Sequence, residues 1–177
     1  CGIFFFFDNI FKNIFSSAPT AGFTAIDNNA AVSSAVNINN NKMGDPLNNA
    51  IRFFIGSQPL FVRGINNTTV AGTTATLSIS GNDFQGFTQN TAAASNYVFI
   101  ECQRQGTVAS ATNINNNTFT NLVTNTSGNV TFIKRTGPMT LNAGITDNCN
   151  DNRIVTAYSK PVAGGTVTLY DCTSASD

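Results

Sequence analysis

SISGNDFQGF (78–87), NINNNKM (37–43) and NINNNTFTNL (113–122) are three versions of one motif, in which an asparagine stands two residues before a large apolar residue. The pattern occurs five times, as Asn9/Phe11, Asn41/Met43, Asn82/Phe84, Asn117/Phe119 and Asn152/Ile154. The apolar members are separated by 32, 41, 35 and 35 residues. A repeat of this length is typical of solenoids, in which each unit packs against the next.

Other positions repeat with the same spacing. We call the apolar member of each pair the anchor. Five residues before each anchor stand Phe6, Ile38, Ile79, Ile114 and Cys149. Three residues after each anchor stand Ile14, Pro46, Phe87, Leu122 and Ala157. A second apolar strand is predicted at 23–26, 53–55, 98–100, 131–133 and 167–170, and a shorter third run at 31–36, 60–62, 108–109 and 141. Asn, Gly, Ser and Thr turns join these runs, without a helical period.

The sequence therefore predicts an all-β fold, a single-stranded parallel β-helix of about five rungs with three short strands per rung. One domain spans residues 1–177, without evident capping segments. The anchors Phe11, Met43, Phe84, Phe119 and Ile154 are predicted to form an internal stack, and Cys149 a buried thiol. The asparagines Asn9, Asn41, Asn82, Asn117 and Asn152 are predicted to form a ladder, because Asn tolerates a left-handed bend and stacked amides hydrogen-bond between rungs.

The three quoted motifs, with the aligned positions around them, resemble those of the right-handed parallel β-helix proteins found among bacterial surface and secreted proteins. The resemblance covers nearly the whole chain. It implies an extracellular or cell-surface location and leaves the function open, because one fold serves many functions.

Composition narrows the function classes. Nine basic and nine acidic residues leave no net charge, and only 10% of the residues are charged. A neutral surface offers little to a nucleic acid backbone or an anionic membrane, so neither is predicted as a partner. The run FFFF (4–7) is too short to cross a bilayer, so no transmembrane segment is predicted.

Catalysis is not expected. The chain has no histidine, so it lacks an imidazole base, and its nine acids are scattered over the repeats. No catalytic residue, cofactor or metal ligand is assigned. A carbohydrate-binding or polysaccharide-cleaving β-helix remains the alternative. A groove lined with clustered acids and aromatics would favour it, because glycoside hydrolysis needs a pair of carboxylates at a set separation.

The two ends of the chain continue the repeat when they are joined. Ile154 is followed by 23 residues and Phe11 is the eleventh residue, so the spacing across a junction of two copies is 34. The predicted partner is therefore another copy of the chain, stacked head to tail, and glycans are a second candidate partner. The predicted junction residues are Cys1, Phe4, Asp8, Asp151, Tyr170 and Cys172.

Two features of this junction stay open. Asp8 and Asp151 share a repeat position, so they either repel each other or recruit a cation such as calcium. Cys1 and Cys172 lie close enough across the junction for an intersubunit disulfide to be considered.

The function predicted from these features is architectural: a subunit of an extracellular filament, or a stalk segment of a surface adhesin. The sequence does not distinguish a complete subunit from a segment of a longer chain. Glycosylation sequons occur at Asn66, Asn67, Asn116, Asn125 and Asn129, of which the first two fall in a predicted exposed insertion, residues 64–76.

Overall fold

The structure is a computed structural model, which describes residues 3–11, 14–16, 22–29, 32–45, 51–53, 61–68, 74–89 and 92–172. These residues form twenty short β-strands and no helix. Every strand pairing among them is parallel. The predicted all-β parallel solenoid is confirmed, and the chain makes about four turns.

The strands fall into five successive rungs. The first rung contains β1 (Ile3–Phe7), β2 (Ile10–Phe11), β3 (Ile14–Ser16) and β4 (Phe23–Asn28). The second contains β5 (Ala35–Asn39), β6 (Lys42–Met43), β7 (Ile51–Phe53) and β8 (Phe61–Asn67). The third contains β9 (Thr76–Ser80), β10 (Asp83–Gln85), β11 (Phe87–Gln89), β12 (Asn96–Gln103) and β13 (Gly106–Val108).

The fourth rung contains β14 (Thr112–Asn113), β15 (Thr118–Val123), β16 (Val130–Thr136) and β17 (Met139–Leu141). The fifth contains β18 (Asp147–Asn148), β19 (Arg153–Ser159) and β20 (Val167–Cys172). From β1 to β18 the chain completes four turns, which bring five rungs into contact.

Stacking of the rungs creates three principal sheets. Sheet one has the order β1-β5-β9-β14-β18, and sheet three has the order β4-β8-β12-β16-β20. Sheet two has eight strands in the order β2-β6-β10-β15-β11-β7-β3, with β19 beside β15. A small fourth sheet pairs β13 with β17. Sheets one and two meet at the asparagine motif, so the stretch around each anchor bends across two faces of the solenoid.

The bend has a left-handed residue in every rung, one position before the ladder asparagine. These residues are Asp8, Asn40, Gly81, Asn116 and Asp151, with φ between 54° and 69°. The prediction that the ladder asparagines themselves take the left-handed conformation is therefore wrong. The preceding position turns the chain, and the ladder residue follows it with its side chain free to bond between rungs.

The interior is filled by apolar columns that run along the solenoid. The rings of Phe84 and Phe119 stack with centroids 5.0 Å apart, and Phe132 meets Phe119 edge to face at 4.9 Å. Gly64 lies in this region because a Cβ there would come within 2.3 Å of the Phe84 ring and 2.5 Å of the Phe99 carbonyl oxygen. Glycine at position 64 of β8 thus leaves room for the ring of Phe84 from the next rung.

Three predicted alignments are wrong. The strand that the second rung contributes to sheet three is β8, which pairs with β4 and β12. The predicted position of this strand is residues 53–55, of which 54 and 55 lie outside the described residues. Ile51, rather than Pro46, pairs with Ile14 and Phe87. Tyr158, rather than Ala157, pairs with Leu122, because the register shifts after Phe119. In each case a local insertion moves the strand relative to a fixed count from the anchor.

Candidate functional site

The asparagine ladder joins all five rungs. The Nδ2 group of each of the first four ladder asparagines donates to Oδ1 of the asparagine in the following rung, at 2.9–3.0 Å. The backbone N–H of the same residue donates to the same Oδ1 at 3.0–3.1 Å. Asn41, Asn82 and Asn117 are completely buried. Their polar atoms are therefore paired inside the solenoid, where an unpaired amide would be costly.

The second Nδ2 hydrogen bond of the ladder runs in the opposite direction. Asn41 donates to the carbonyl of Phe6, Asn82 to that of Ile38, Asn117 to that of Ile79 and Asn152 to that of Ile114, at 2.7–3.0 Å. Each of the three interior bends is thus tied both to the rung before it and to the rung after it.

The first rung is apolar on its outer as well as its inner side. Phe4 and Phe6 point inward above Val36 and Ile38, and the Phe6 ring stacks on that of Phe11 with centroids 5.8 Å apart. The outward positions carry exposed Ile3, Phe5, Phe7 and Ile10. In the second rung, Asn37 and Asn39 occupy the positions beside Phe5 and Phe7. Large apolar side chains on the outside of sheet one are therefore confined to the first rung among the described residues.

The fifth rung leaves apolar interior positions uncovered. Ile154 continues the Phe84–Phe119 column, yet it is 40% exposed, and Leu169 is 61% exposed. These two side chains line a cavity of about 160 Å³ whose floor is formed by Phe119 and Phe132. The fifth rung thus presents an open section of the core.

The predicted junction residues divide between the two ends. Phe4 and Asp8 lie in the first rung, and Asp151, Tyr170 and Cys172 lie in the fifth, so one chain does not bring them together. Cys1 lies outside the described residues. Asp8 and Asp151 both occupy the left-handed bend, with φ of 56° and 54°.

Three thiols and two arginines lie near the corner that follows sheet three. Burial raises the pKa of Cys102 to about 11, and burial also raises the pKa of Cys149. Cys149 is half-buried and packs against the core, and Cys172 is exposed. Arg135 lies between Cys102 and Cys172 in its column and forms an ion pair with Asp147.

Arg104 is a second buried arginine of this corner. Burial lowers the pKa of its guanidinium. Its Nη1 donates to Thr112 Oγ1 at 2.6 Å, and its Nη2 donates to the Ala75 carbonyl. The two arginines tie successive rungs together, a role that the sequence pattern did not predict because neither residue recurs in its column.

Two sequons are not on the surface. Asn66 and Asn67 belong to β8 and are buried, so the prediction of an exposed insertion beginning at residue 64 is wrong. Asn66 donates to Asp27 at 2.7 Å, and Asn67 accepts from Asn28 at 2.6 Å. Asn116 and Asn129 are exposed, and Asn125 is half-buried.

A groove of about 330 Å³ lies on the outer face of sheet three. Glu101 is in its floor, with Arg63 Nε at 2.8 Å from one carboxylate oxygen and Lys134 Nζ at 3.6 Å from the other. The Arg63 guanidinium stands 4.6 Å above the centre of the Phe61 ring. Asp171 follows Lys134 in the same column. The described residues hold no group of three or more Cys, Asp or Glu side chains able to bind a metal ion.

Comparison with known proteins finds no matching family model, no matching curated protein and no matching solved structure. The observed pairing and packing define the chain as a parallel β-solenoid protein. In the described part of the chain, no helix has the length and apolar character that crossing a membrane requires.

Proposed function

We propose that this β-solenoid is an architectural subunit that stacks end to end with further copies of itself into an extracellular filament. The observation that carries the proposal is the open state of both end rungs. Among the described residues, β1 pairs only with β5 and β20 pairs only with β16, so each has an unpaired strand edge. Such edges associate readily with other strands unless they are covered.

Apolar surface at the same two ends supports stacking. The fifth rung presents Ile154 and Leu169 around the open cavity, and the first rung presents the aromatic rings of Phe4, Phe6 and Phe11. Complete burial of an exposed side chain of this size contributes about 1.5–3 kcal/mol, and these partly buried side chains gain a share of that. A second copy is the occupant that fits both ends, because it provides parallel strands with the same three-sheet outline. A non-closing contact of this kind produces an open filament.

The low charge content supports the association of copies. Charged residues make up 10% of the chain, and the net charge is zero. Long-range repulsion between copies is therefore small. A stalk segment of a surface adhesin would use the same end surfaces, with the neighbouring rungs supplied by its own polypeptide.

Electron microscopy of the purified 177-residue chain tests the filament. Five rungs at roughly 4.8 Å predict an axial repeat of about 24 Å per copy. Leu169→Asp places a charge in the open apolar cavity and is expected to abolish filaments. Thr107→Asp, at an exposed position of β13 on the side of the rod, is the matched control and is expected to leave them intact. A chain that remains monomeric at several hundred micromolar would refute the proposal.

The groove on sheet three supports glycan binding as a second candidate function. It combines an aromatic ring, two cations and two acids around a concave surface. Glu101 and Asp171 are two rungs apart, roughly 9.6 Å, which is near the carboxylate separation of inverting glycosidases. Lys134 lies between them, however, and Glu101 is already paired with two cations. The groove therefore favours binding of a neutral sugar over its cleavage.

A glycan array followed by calorimetry tests this second function. Glu101→Gln removes the carboxylate that organises Arg63 and Lys134, and we expect it to weaken binding of any array hit at least tenfold. Asp83→Asn, on sheet two, should leave binding unchanged. An array without hits would remove this candidate.

A further inference from the structure

The asparagine ladder has a direction. In all four contacts between described rungs, the earlier asparagine donates its backbone N–H and one Nδ2 hydrogen, and the later asparagine accepts both at Oδ1. The later residue then returns its other Nδ2 hydrogen to a carbonyl of the earlier rung. The two sides of a rung are therefore chemically different at this column.

The two ends of the ladder are complementary as a result. At the fifth rung, the backbone N–H and one Nδ2 hydrogen of Asn152 have no following asparagine, and Nδ2 instead lies 3.5 Å from Cys149 Sγ. At the first rung, Asn9 Oδ1 accepts no hydrogen bond among the described residues. Its Nδ2 donates to the nearby Phe7 carbonyl at 2.9 Å. In the other rungs, the corresponding Nδ2 donates to a carbonyl of the preceding rung. The fifth rung thus offers the two donors of Asn152, and the first rung offers the acceptor that matches them, Asn9 Oδ1.

We propose that the ladder sets the polarity and register of the stacked copies, with Asn152 of one copy donating to Asn9 Oδ1 of the next. This inference rests on the proposed filament and specifies its junction. Asn9 of the next copy would turn its Nδ2 from Phe7 to the Cys149 carbonyl, as the interior asparagines do. The junction then repeats the three ladder bonds found between the interior rungs.

The same register aligns the apolar columns. Ile154 comes to lie against Phe11 of the next copy, which continues the column of Phe84 and Phe119. On the outer side, Arg153 lies beside Ile10 of the next copy, since these residues belong to the column Ile10, Lys42, Asp83, Thr118 and Arg153. Polar and apolar contacts therefore select one register.

Stacking of like ends does not repeat the ladder. Two first rungs placed together bring two Asn9 acceptors face to face, and two fifth rungs bring together the donors of two Asn152 residues. Either arrangement also reverses the relative strand direction, which departs from the parallel pairing found throughout the described solenoid. Only a head-to-tail junction reproduces the three ladder bonds found between the interior rungs.

Disulfide trapping with two single-cysteine variants tests the junction. The background carries Cys1→Ser, Cys149→Ala and Cys172→Ser, and buried Cys102 is retained. Ile10→Cys and Arg153→Cys are prepared separately, mixed, allowed to assemble and oxidised. Neighbouring parallel strands place the two Cα atoms roughly 4.8 Å apart, which is within disulfide reach. Thr118→Cys mixed with Ile10→Cys is the matched control, because Thr118 is one rung further away, at roughly 9.6 Å.

The expected result is a covalent dimer in the Ile10→Cys and Arg153→Cys mixture, with none in either variant alone or in the control. Dimers of Ile10→Cys alone would show head-to-head stacking, and dimers of Arg153→Cys alone would show tail-to-tail stacking. Either result overturns the proposed polarity while leaving a filament. Sedimentable assemblies without any cross-link overturn the register. A background protein that does not sediment at all overturns the filament, and the junction with it.

Discussion

At the scale of single residues, the bend motif assigns different tasks to adjacent positions. The residue before the ladder adopts the left-handed conformation, which Asp, Asn and Gly tolerate. The ladder asparagine then bonds to both neighbouring rungs with its amide. An interior ladder residue therefore satisfies more buried groups than a residue of the end rungs.

The first prediction compares two ladder positions. Asn82→Ala should lower the free energy of unfolding by about 3 kcal/mol or more, because it leaves the Asn41 donors and the Ile38 carbonyl unpaired in the interior. Asn152→Ala should cost less, because Asn152 is half-buried and bonds to one described rung only. Urea unfolding at a protein concentration below assembly measures both. Equal losses would contradict the role assigned to the ladder.

The second prediction concerns the thiols. At pH 8, maleimide should label Cys172 fastest, Cys149 more slowly and Cys102 only after unfolding, because the exposed fraction falls in that order. Mass spectrometry of tryptic peptides measures the three rates. Rapid labelling of Cys102 in the folded protein would contradict its position in the core.

Cys102 also makes the stability of the protein depend on pH. Burial raises the pKa of Cys102 from 9.0 to about 11, so the thiol ionises more readily in the unfolded chain. The stability that comes from keeping this thiol protonated is fully present below pH 9 and is lost as the pH rises toward 11. The loss in the free energy of unfolding is about 2 kcal/mol at pH 10.5. Cys102→Ala should reduce the alkaline loss by this amount in urea unfolding at pH 8 and pH 10.5. An unchanged alkaline loss would rule out this assignment.

At the scale of elements, buried cations tie the strands of sheet three to those of sheet one. Arg135 in β16 is almost fully buried and pairs with Asp147 in β18, which belongs to the following rung. The Asp147 carboxylate therefore provides a counter-charge to a buried cation, which also contacts the Met139 sulfur. Removing one partner of such a pair costs more than the pair contributes, because the other charge remains buried.

The third prediction tests this connection. Asp147→Asn should lower the free energy of unfolding by about 3 kcal/mol, because the buried Arg135 cation loses its ion pair with Asp147. Arg135→Met combined with Asp147→Asn should recover part of that loss, since no unpaired charge remains. Asp83→Asn is the control at a half-buried surface carboxylate, expected within about 0.5 kcal/mol of the wild type. A double variant less stable than Asp147→Asn would refute the explanation.

At the scale of the whole molecule, the solenoid has two ends and three sides with different character. The sides carry the bends, the polar outer columns and the groove on sheet three. The ends expose the cross-section of the core and the two halves of the asparagine ladder. Assembly is therefore expected along the axis, and its strength depends on the few charged residues near the ends.

The fourth prediction concerns one such charge. Head-to-tail stacking brings Asp8 next to Asp151 of the neighbouring copy, whereas the second and fourth rungs have Asn40 and Asn116 in this column. Asp8→Asn should lower the concentration needed for assembly about fivefold at low salt, because it removes a repulsion between like charges. Light scattering at 10 mM and 1 M salt measures the effect, which should shrink at high salt. Asp83→Asn on the side of the rod should have no effect, and an equal effect there would contradict the assignment.

The sequence by itself determined the repeat, the parallel solenoid and the register of sheets one and two near the anchors. It did so because each column of a solenoid places the same physical demand on every rung, so the pattern recurs along the chain. Asn41, Asn82 and Asn117 could be predicted as ladder residues for this reason.

Only the tertiary structure decided what depends on insertions and on contacts between different columns. The position of β8 and the burial of Asn66 and Asn67 could not be predicted from the 41-residue repeat. An insertion there increases the number of residues between the anchor and the strand. The Arg135–Asp147 pair joins residues that do not recur in their columns. The direction of the ladder, and hence its complementary ends, depends on which amide atom faces which rung, and that is set by the three-dimensional path of the backbone through each bend.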